Sequence, residues 1–468
     1  MPWNDLRTGL GALCLCACAL PAAAAQGPDA PEAAPEAAPD PAAALYPSQF
    51  GCSGLHEDAQ TPVIEGRDGV FYRVYADIRM HHPFSDKTIE LLARLSRTLQ
   101  DQGTTLVFLP IPTKSQAMPG RLPEVARHYG YKTDVSAAVY QDIVDRLRAA
   151  GVVTIHGQNA MLAAEAGAMP YFQADFHWSS EGARLAAVEL AREIDRLPQA
   201  ADLERSEFET RQTGTQVAFS GLRQLIQRNC LHQVPEPVTA TWKTEKSTLD
   251  LGLGGEDDGD GDGGGLDLFG DDESRVQVAV VGTSFSDMAL ANFDGWISQY
   301  TGLDVVNYAI TGGNQFGSIL SYLTSEDFAR DRPHVLVWEN PIYNNLLQYG
   351  DQPLLELIAA AGGACARPLD TRRTGPDRIE ARLDGTGLAP GDVIFADAGG
   401  EGPVSAEFHF AFDDGSARVQ LLERGERLRH TGRFYMPVNA YPTDRLAAVS
   451  VTFDRPVPEG ASLALCAN

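Results

Sequence analysis

Residues 276–287 read VQVAVVGTSFSD, an apolar run that stops at Gly282 and is followed by Thr283, Ser284 and Ser286. A run without polar alternation suits a strand buried on both faces, as in parallel sheets covered by helices. The same signature recurs in TTLVFLPIP (104–112), VVTIHG (152–157), LDVVNYAI (303–310) and PHVLVWEN (333–340). Between these runs, KTIELLARLSRTLQDQG (87–103), DVSAAVYQDIVDRLRAAG (134–151) and SSEGARLAAVELAREIDRL (179–197) repeat apolar residues at helical spacing. Ser179 or Ser180 opens the last of them as N-cap. Strands alternating with helices predict an α/β domain with a mainly parallel sheet over residues 45–350.

Beyond residue 351 the pattern changes. A short helical piece, PLLELIAAAGG, precedes DVIFADA, AEFHFAF, ARVQLLERG, RHTGRFYMPV, AAVSVTF and ASLALC, short strands separated by Gly, Pro and Asp turns. This predicts a β-sandwich over residues 351–468. By fold-level analogy it is a carbohydrate-binding domain, with Phe434 and Tyr435 as aromatics that either stack on sugars or fill the core.

The N-terminus reads MPWNDLRTGLGALCLCACALPAAAAQG. Arg7, an apolar core too short to span a bilayer, and Ala23-Ala24-Ala25 predict a secretory signal peptide over residues 1–25. The alternative is lipidation at Cys18. Residues 26–44 form a Pro/Ala/acid linker with no core-forming pattern. Export to a periplasm follows. No later apolar run is long enough for a membrane helix, so the mature protein is expected to be soluble.

The 468 residues carry 63 acidic and 37 basic side chains, a formal charge of −26, which argues against nucleic acid as a partner. Part of that acidity lies in an Asp/Gly-rich insertion at 247–274. Asp258, Asp260, Asp262 and Gly263 there imitate a calcium loop, but its twelfth position is Phe269, so a solvated, disordered insertion is expected. Outside the signal, Cys52, Cys230, Cys365 and Cys466 remain. Three pairings are open, and locality favours Cys52–Cys230 and Cys365–Cys466.

Ligands of open parallel sheets bind beyond the carboxyl ends of the strands. Ser284 falls on such a turn, where it is either a nucleophile or an ordinary N-cap. YFQADFHWSSEGA (171–183) offers a partner, with Asp175 and His177 just ahead of a helix. The carboxylate can hold the imidazole Nδ1–H while Nε2 takes the serine proton. A structural Asp–His contact or a metal pair with His156 is the alternative. Gly312-Gly313-Asn314 and VLVWENPIYN supply candidate oxyanion donors, Gly313 and Asn340, with Asn344 nearby. LPIPTKSQAMPGRLP places Lys114 and Arg121 as candidate cations for an anionic acceptor. No metal and no diffusible cofactor is called for.

DFHW upstream of GTSFS resembles the SGNH hydrolase superfamily. Ordinary members place serine first and the pair last, usually as D-x-x-H. The reversed order and the D-x-H pair here resemble the AlgX/AlgJ family of alginate O-acetyltransferases, whose AlgX-type members also carry a signal peptide and a C-terminal sandwich. The insertion at 247–274 departs from that family. The resemblance implies acetyl transfer to the 2- or 3-hydroxyl of mannuronate units through an acetyl-Ser284. It also implies partners in the alginate export and acetylation machinery, with a membrane acyltransferase upstream. An acetyl esterase with the same triad, or a non-catalytic glycan-binding scaffold, would carry many of the same signals.

Overall fold

The computed structural model describes residues 47–164, 167–247, 276–363 and 365–466. The expected signal peptide, the linker and the Asp/Gly-rich stretch beyond residue 247 lie outside them. The described chain opens with an antiparallel pair, β1 (Val63–Glu65) and β2 (Phe71–Arg73). It continues through β3 (Thr105–Ile111), β4 (Val153–Thr154) and a long hairpin of β5 (Phe208–Val217) and β6 (Val238–Lys246). Then come β7 (Val278–Val281), β8 (Val305–Asn307) and β9 (Val335–Pro341). The central sheet has the order β4-β3-β9-β7-β8, and every pairing in it is parallel.

Alternation along these strands divides the core. Leu106 and Phe108 of β3, Ala279 and Val281 of β7, and Leu336 and Trp338 of β9 face one layer of helices. Val107, Leu109 and Ile111, Val278 and Val280, and Val335 and Val337 face the other. Helices Asp86–Asp101, Thr133–Ala149 and Gln352–Ala361 cover the first face, and Ser180–Ile194 and Phe293–Thr301 cover the second. Each large apolar side chain so buried is worth about 1.5–3 kcal/mol, which fixes the register of the sheet. Because all five strands run the same way, the segments after β3, β4, β7, β8 and β9 gather at one edge.

A small satellite core of Leu55, Val63, Phe71, Ala174, Leu222, Ile226 and Val234 is closed by the disulfide Cys52–Cys230. Ala174 belongs to it, which ties this lobe to the segment that carries Asp175 and His177.

The remaining strands are β10 (Arg367–Pro368), β11 (Thr371–Arg373), β12 (Arg378–Arg382), β13 (Val393–Asp397), β14 (Ser405–Phe412), β15 (Ala417–Glu423), β16 (Arg433–Pro437), β17 (Leu446–Phe453) and β18 (Ser462–Cys466). They build two antiparallel sheets, β10-β18-β13-β16 and β11-β12-β17-β14-β15, around an apolar core. Cys365–Cys466 ties the start of this unit to its last strand. Phe434 is buried in the sandwich core, and Tyr435 is buried on the opposite side against the helix Gln352–Ala361. Neither aromatic is presented to solvent: of the two expected roles, alternation along β16 puts both in cores. The same helix also packs on Asp86–Asp101. Its buried Glu356 receives Arg424 Nη2 at 2.5 Å and the Tyr435 amide at 3.2 Å.

Candidate active site

The turn after β7 is shaped from below. Thr283 is extended and caps the short helix Ser284–Asp287, its hydroxyl oxygen accepting from the Phe285 amide. Glu339, near the end of β9 and fully buried, reaches under this turn. Its carboxylate accepts from the Thr283 amide at 2.7 Å, the Thr283 hydroxyl at 3.1 Å and the Ser286 hydroxyl at 3.1 Å. Gly282 makes this approach possible, since a Cβ there would lie 2.5 Å from Glu339 Oε2. The glycine therefore admits a carboxylate.

The loop of residues 171–178 folds over the turn from the other side. Tyr171 and Trp178 form an isolated bridge, and the Phe172 amide donates to the His177 carbonyl. Trp178, fully buried, donates its Nε1–H to the Phe285 carbonyl at 2.7 Å, which locks the two segments together. The Phe285 ring packs against His177 and Trp178. Ser179 is the N-cap of the helix that follows.

This packing brings three of the expected residues into line. His177 Nε2 lies 2.8 Å from Ser284 Oγ, and His177 Nδ1 lies 2.7 Å from Asp175 Oδ1. The His177 amide donates to the same carboxylate oxygen, and the Ser220 hydroxyl donates to the other at 2.6 Å. Burial pushes the Asp175 carboxyl up, but the hydrogen bonds from His177 and Ser220 outweigh it and hold the group below its ordinary value. Asp175 is buried, whereas His177 and Ser284 are partly exposed. The arrangement is a base oriented by a carboxylate and in contact with a hydroxyl that solvent can reach.

The other expected site residues are placed differently. The Gly313 amide already donates to the Ile310 carbonyl at 3.1 Å, so it does not serve an oxyanion. Asn340 is turned by strand alternation to the face opposite Glu339, and its Oδ1 accepts from Asn344 Nδ2 at 2.9 Å. Its own Nδ2 is buried without a partner among the described residues. Lys114 is 1 % exposed and cannot meet a polymer. Its ammonium donates to the carbonyls of Gln173 at 2.7 Å and Asp175 at 2.8 Å, so it holds the loop of Asp175 and His177 from inside. Burial pushes this group down to about 7, against the pull of Asp77 and Asp175. Arg121 is ion-paired with Asp68. His156 is a helix cap: Nδ1 accepts from the Asn159 amide and Nε2 meets Gln141, so no nitrogen is left for a metal.

Sequence reasoning missed Glu339, Trp178 and Ser220. A glutamate within the apolar run VLVWEN was a visible anomaly, whereas nothing in the sequence marks Ser220. It also missed Arg73, which pairs with buried Asp77 and stacks over Phe176 and Tyr343 beside the site.

Glu339 gives a pH-dependent expectation. Burial pushes its carboxyl from 4.5 up to about 7. The folded state thus keeps a proton that the unfolded chain releases at lower pH, so stability falls as pH rises from the ordinary carboxyl value towards 7. The loss amounts to roughly 3 kcal/mol. Glu339→Gln removes this dependence. Urea midpoints measured at about pH 5 and about pH 8 should separate more in the parent than in the variant. Equal separation contradicts the assignment.

Comparison with known proteins adds the family context. A family model described as SGNH hydrolase-like domain, acetyltransferase AlgX, matches residues 63–342. The chain is 28% identical over 306 residues to the alginate biosynthesis protein AlgX of Pseudomonas aeruginosa, a match covering 65% of this chain and 60% of that protein. It is 29% identical over 322 residues to the probable alginate O-acetylase AlgJ of the same organism, covering 66% and 78% of the two chains. A solved structure of P. aeruginosa AlgX superposes with a TM-score of 0.71 at 21% identity, over 91% of this chain and 99% of that one. At that identity the superposition establishes a shared fold.

Proposed function

The chain belongs to the AlgX family of SGNH hydrolase-like proteins, and on that footing we propose that it is an O-acetyltransferase acting on alginate, with Asp175, His177 and Ser284 as its catalytic triad. The observation that carries this reading is the pair of contacts, 2.7 and 2.8 Å, that joins the three side chains at the carboxyl edge of the sheet. Ser284 Oγ attacks the carbonyl carbon of an acetyl donor while His177 Nε2 takes its proton. The tetrahedral oxyanion is met by the backbone amide of Ser284. His177 returns the proton to the donor's leaving oxygen, and acetyl-Ser284 remains. In the second half, a 2- or 3-hydroxyl of a mannuronate unit attacks the acyl carbon and gives its proton to His177, which passes it back to Ser284 Oγ. Asp175 fixes the imidazole tautomer and stabilises its charged form. No metal or diffusible cofactor enters these steps.

The substrate assignment rests on the family and on charge. A polyuronate brings one carboxylate per sugar, and a cleft of about 640 Å3 beside the Asp68 turn offers Arg67 and Lys132, with Arg127 paired to Glu124 and Asp134 also on its lining. Gln173 Nε2 donates to the Asp68 carbonyl at 2.6 Å, so this cleft adjoins the acid–base loop. We read residues 351–468 as a carbohydrate-binding unit. In support, Arg427 Nη1 lies 3.4 Å from the Thr311 carbonyl, and the Thr311 amide donates to Asp287 at the end of the Ser284 helix. A sugar chain held near Arg427 would pass close to the nucleophile. The reading extends to a periplasmic location, the alginate export machinery as partner and a membrane acyltransferase as the source of acetyl groups.

Purified protein given 4-nitrophenyl acetate with and without polymannuronate oligomers tests the proposal. Acetyl groups gained by the oligomers, with less free acetate released, are expected. Free acetate alone, unchanged by oligomers, would identify an esterase. No turnover together with oligomer binding would identify a scaffold.

A further inference from the structure

We propose that Ser220 is a positioning residue for Asp175, holding one carboxylate oxygen while the other holds His177; this rests on the reading of Asp175, His177 and Ser284 as the catalytic set. Ser220 Oγ lies 2.6 Å from Asp175 Oδ2, and the two residues are 5% and 3% exposed. The direction of that bond is fixed by a second contact. Ser220 caps the helix Gly221–Gln227, its oxygen accepting from the Arg223 amide at 3.0 Å, which leaves the hydroxyl proton for Asp175. The alternative acceptor, the Ala174 carbonyl, is farther away at 3.4 Å.

The element that presents Ser220 is itself held. Leu222 and Ile226 of its helix pack with Ala174, Val63 and Phe71 in the satellite core closed by Cys52–Cys230. Arg223 anchors the far side through the Val234 and Pro235 carbonyls. The lobe therefore grips Ala174 and aims a hydroxyl at Asp175. A terminal carboxylate torsion is broad and two-fold; the His177 amide and Nδ1 hold it at Oδ1 and Ser220 holds it at Oδ2, so without Ser220 the carboxylate plane is held from one oxygen. The charged groups around Asp175 are His177 and, on its backbone carbonyl, Lys114, with Asp77 and Arg73 beyond.

Ser220→Gly keeps an acceptable N-cap residue and deletes the hydroxyl, whereas Ser220→Thr keeps both. The full chain is assayed with 4-nitrophenyl acetate over a pH series, alongside Ser284→Ala. Ser220→Gly should lower kcat roughly 10- to 100-fold at unchanged KM, the range set by one hydrogen bond to a charged group. Its acid limb in kcat/KM should move to higher pH, because a carboxylate that has lost a donor binds the imidazolium more tightly. Ser220→Thr should restore both. Parent-like kcat and pH profile in Ser220→Gly, with Ser284→Ala inactive, overturns the inference and leaves the triad standing. A lowered amplitude with an unmoved acid limb, not restored by threonine, also overturns it by reducing Ser220 to a structural cap. Activity retained in Ser284→Ala removes the triad reading and this inference with it.

Discussion

Ser284→Ala and His177→Ala are each expected to lower kcat for acetyl-ester turnover by about 10⁴-fold or more, with the double variant scarcely worse than either alone. In the proposed mechanism the two side chains act as one unit. A serine hydroxyl is a weak nucleophile until a base takes its proton, and His177 Nε2 is placed 2.8 Å away to do so. Asp175→Asn belongs to the same class. A neutral amide in place of the carboxylate cannot stabilise the imidazolium that forms when His177 takes the proton, at an expected cost of up to about 10⁴ in kcat. Steady-state kinetics on 4-nitrophenyl acetate, with folding checked by denaturation, measure all three. Losses that multiply in the double variant would mean that the two residues contribute independently.

Lys114→Met is expected to have the second largest effect, and it separates two roles for that lysine. As a cation for the acceptor, Lys114 would affect KM for the sugar and leave ester hydrolysis alone. Its burial and its bonds to the Gln173 and Asp175 carbonyls point to the opposite outcome. The Gln173 carbonyl keeps a second donor, the Phe71 amide, but the Asp175 carbonyl loses the lysine donor. Leaving that acceptor unsatisfied destabilises by about 1–3 kcal/mol. The backbone of Asp175 then relaxes, and a misplacement of the order of 1 Å lowers kcat by about 10²-fold. The loss should appear with 4-nitrophenyl acetate, where no polymer is bound. Unchanged ester hydrolysis with a raised KM for polymannuronate would return Lys114 to the acceptor site.

Much of the fold was legible because β7 and most of β3 and β9 read as unbroken apolar runs, which only a sheet covered on both faces tolerates. The hairpin β5–β6 was not. Its residues are mostly exposed, as in FETRQTGTQV, so no burial pattern marks it as strand. At the site, Asp175, His177 and Ser284 could be read because each sits at an element boundary where chemistry and spacing agree. Lys114 could not be assigned correctly from sequence. A lysine just after a strand looks like a surface cation, and only the fold places the carbonyls of Gln173 and Asp175 over its ammonium. Gly313 failed for a similar reason: its amide is used within its own turn, on Ile310. Glu339 stood out against its apolar neighbours in the sequence, yet its target, the Thr283 amide, belongs to a different strand's turn.

In the proposed mechanism acetyl groups pass through the Ser284 oxygen. Brief exposure of the protein to 4-nitrophenyl acetate, acid quench and peptide mass mapping test it directly. One acetyl group is expected on the peptide that contains Ser284, absent from Ser284→Ala and discharged when polymannuronate oligomers are added before the quench. An acetyl group carried on another residue, or oligomer acetylation that continues in Ser284→Ala, would contradict it.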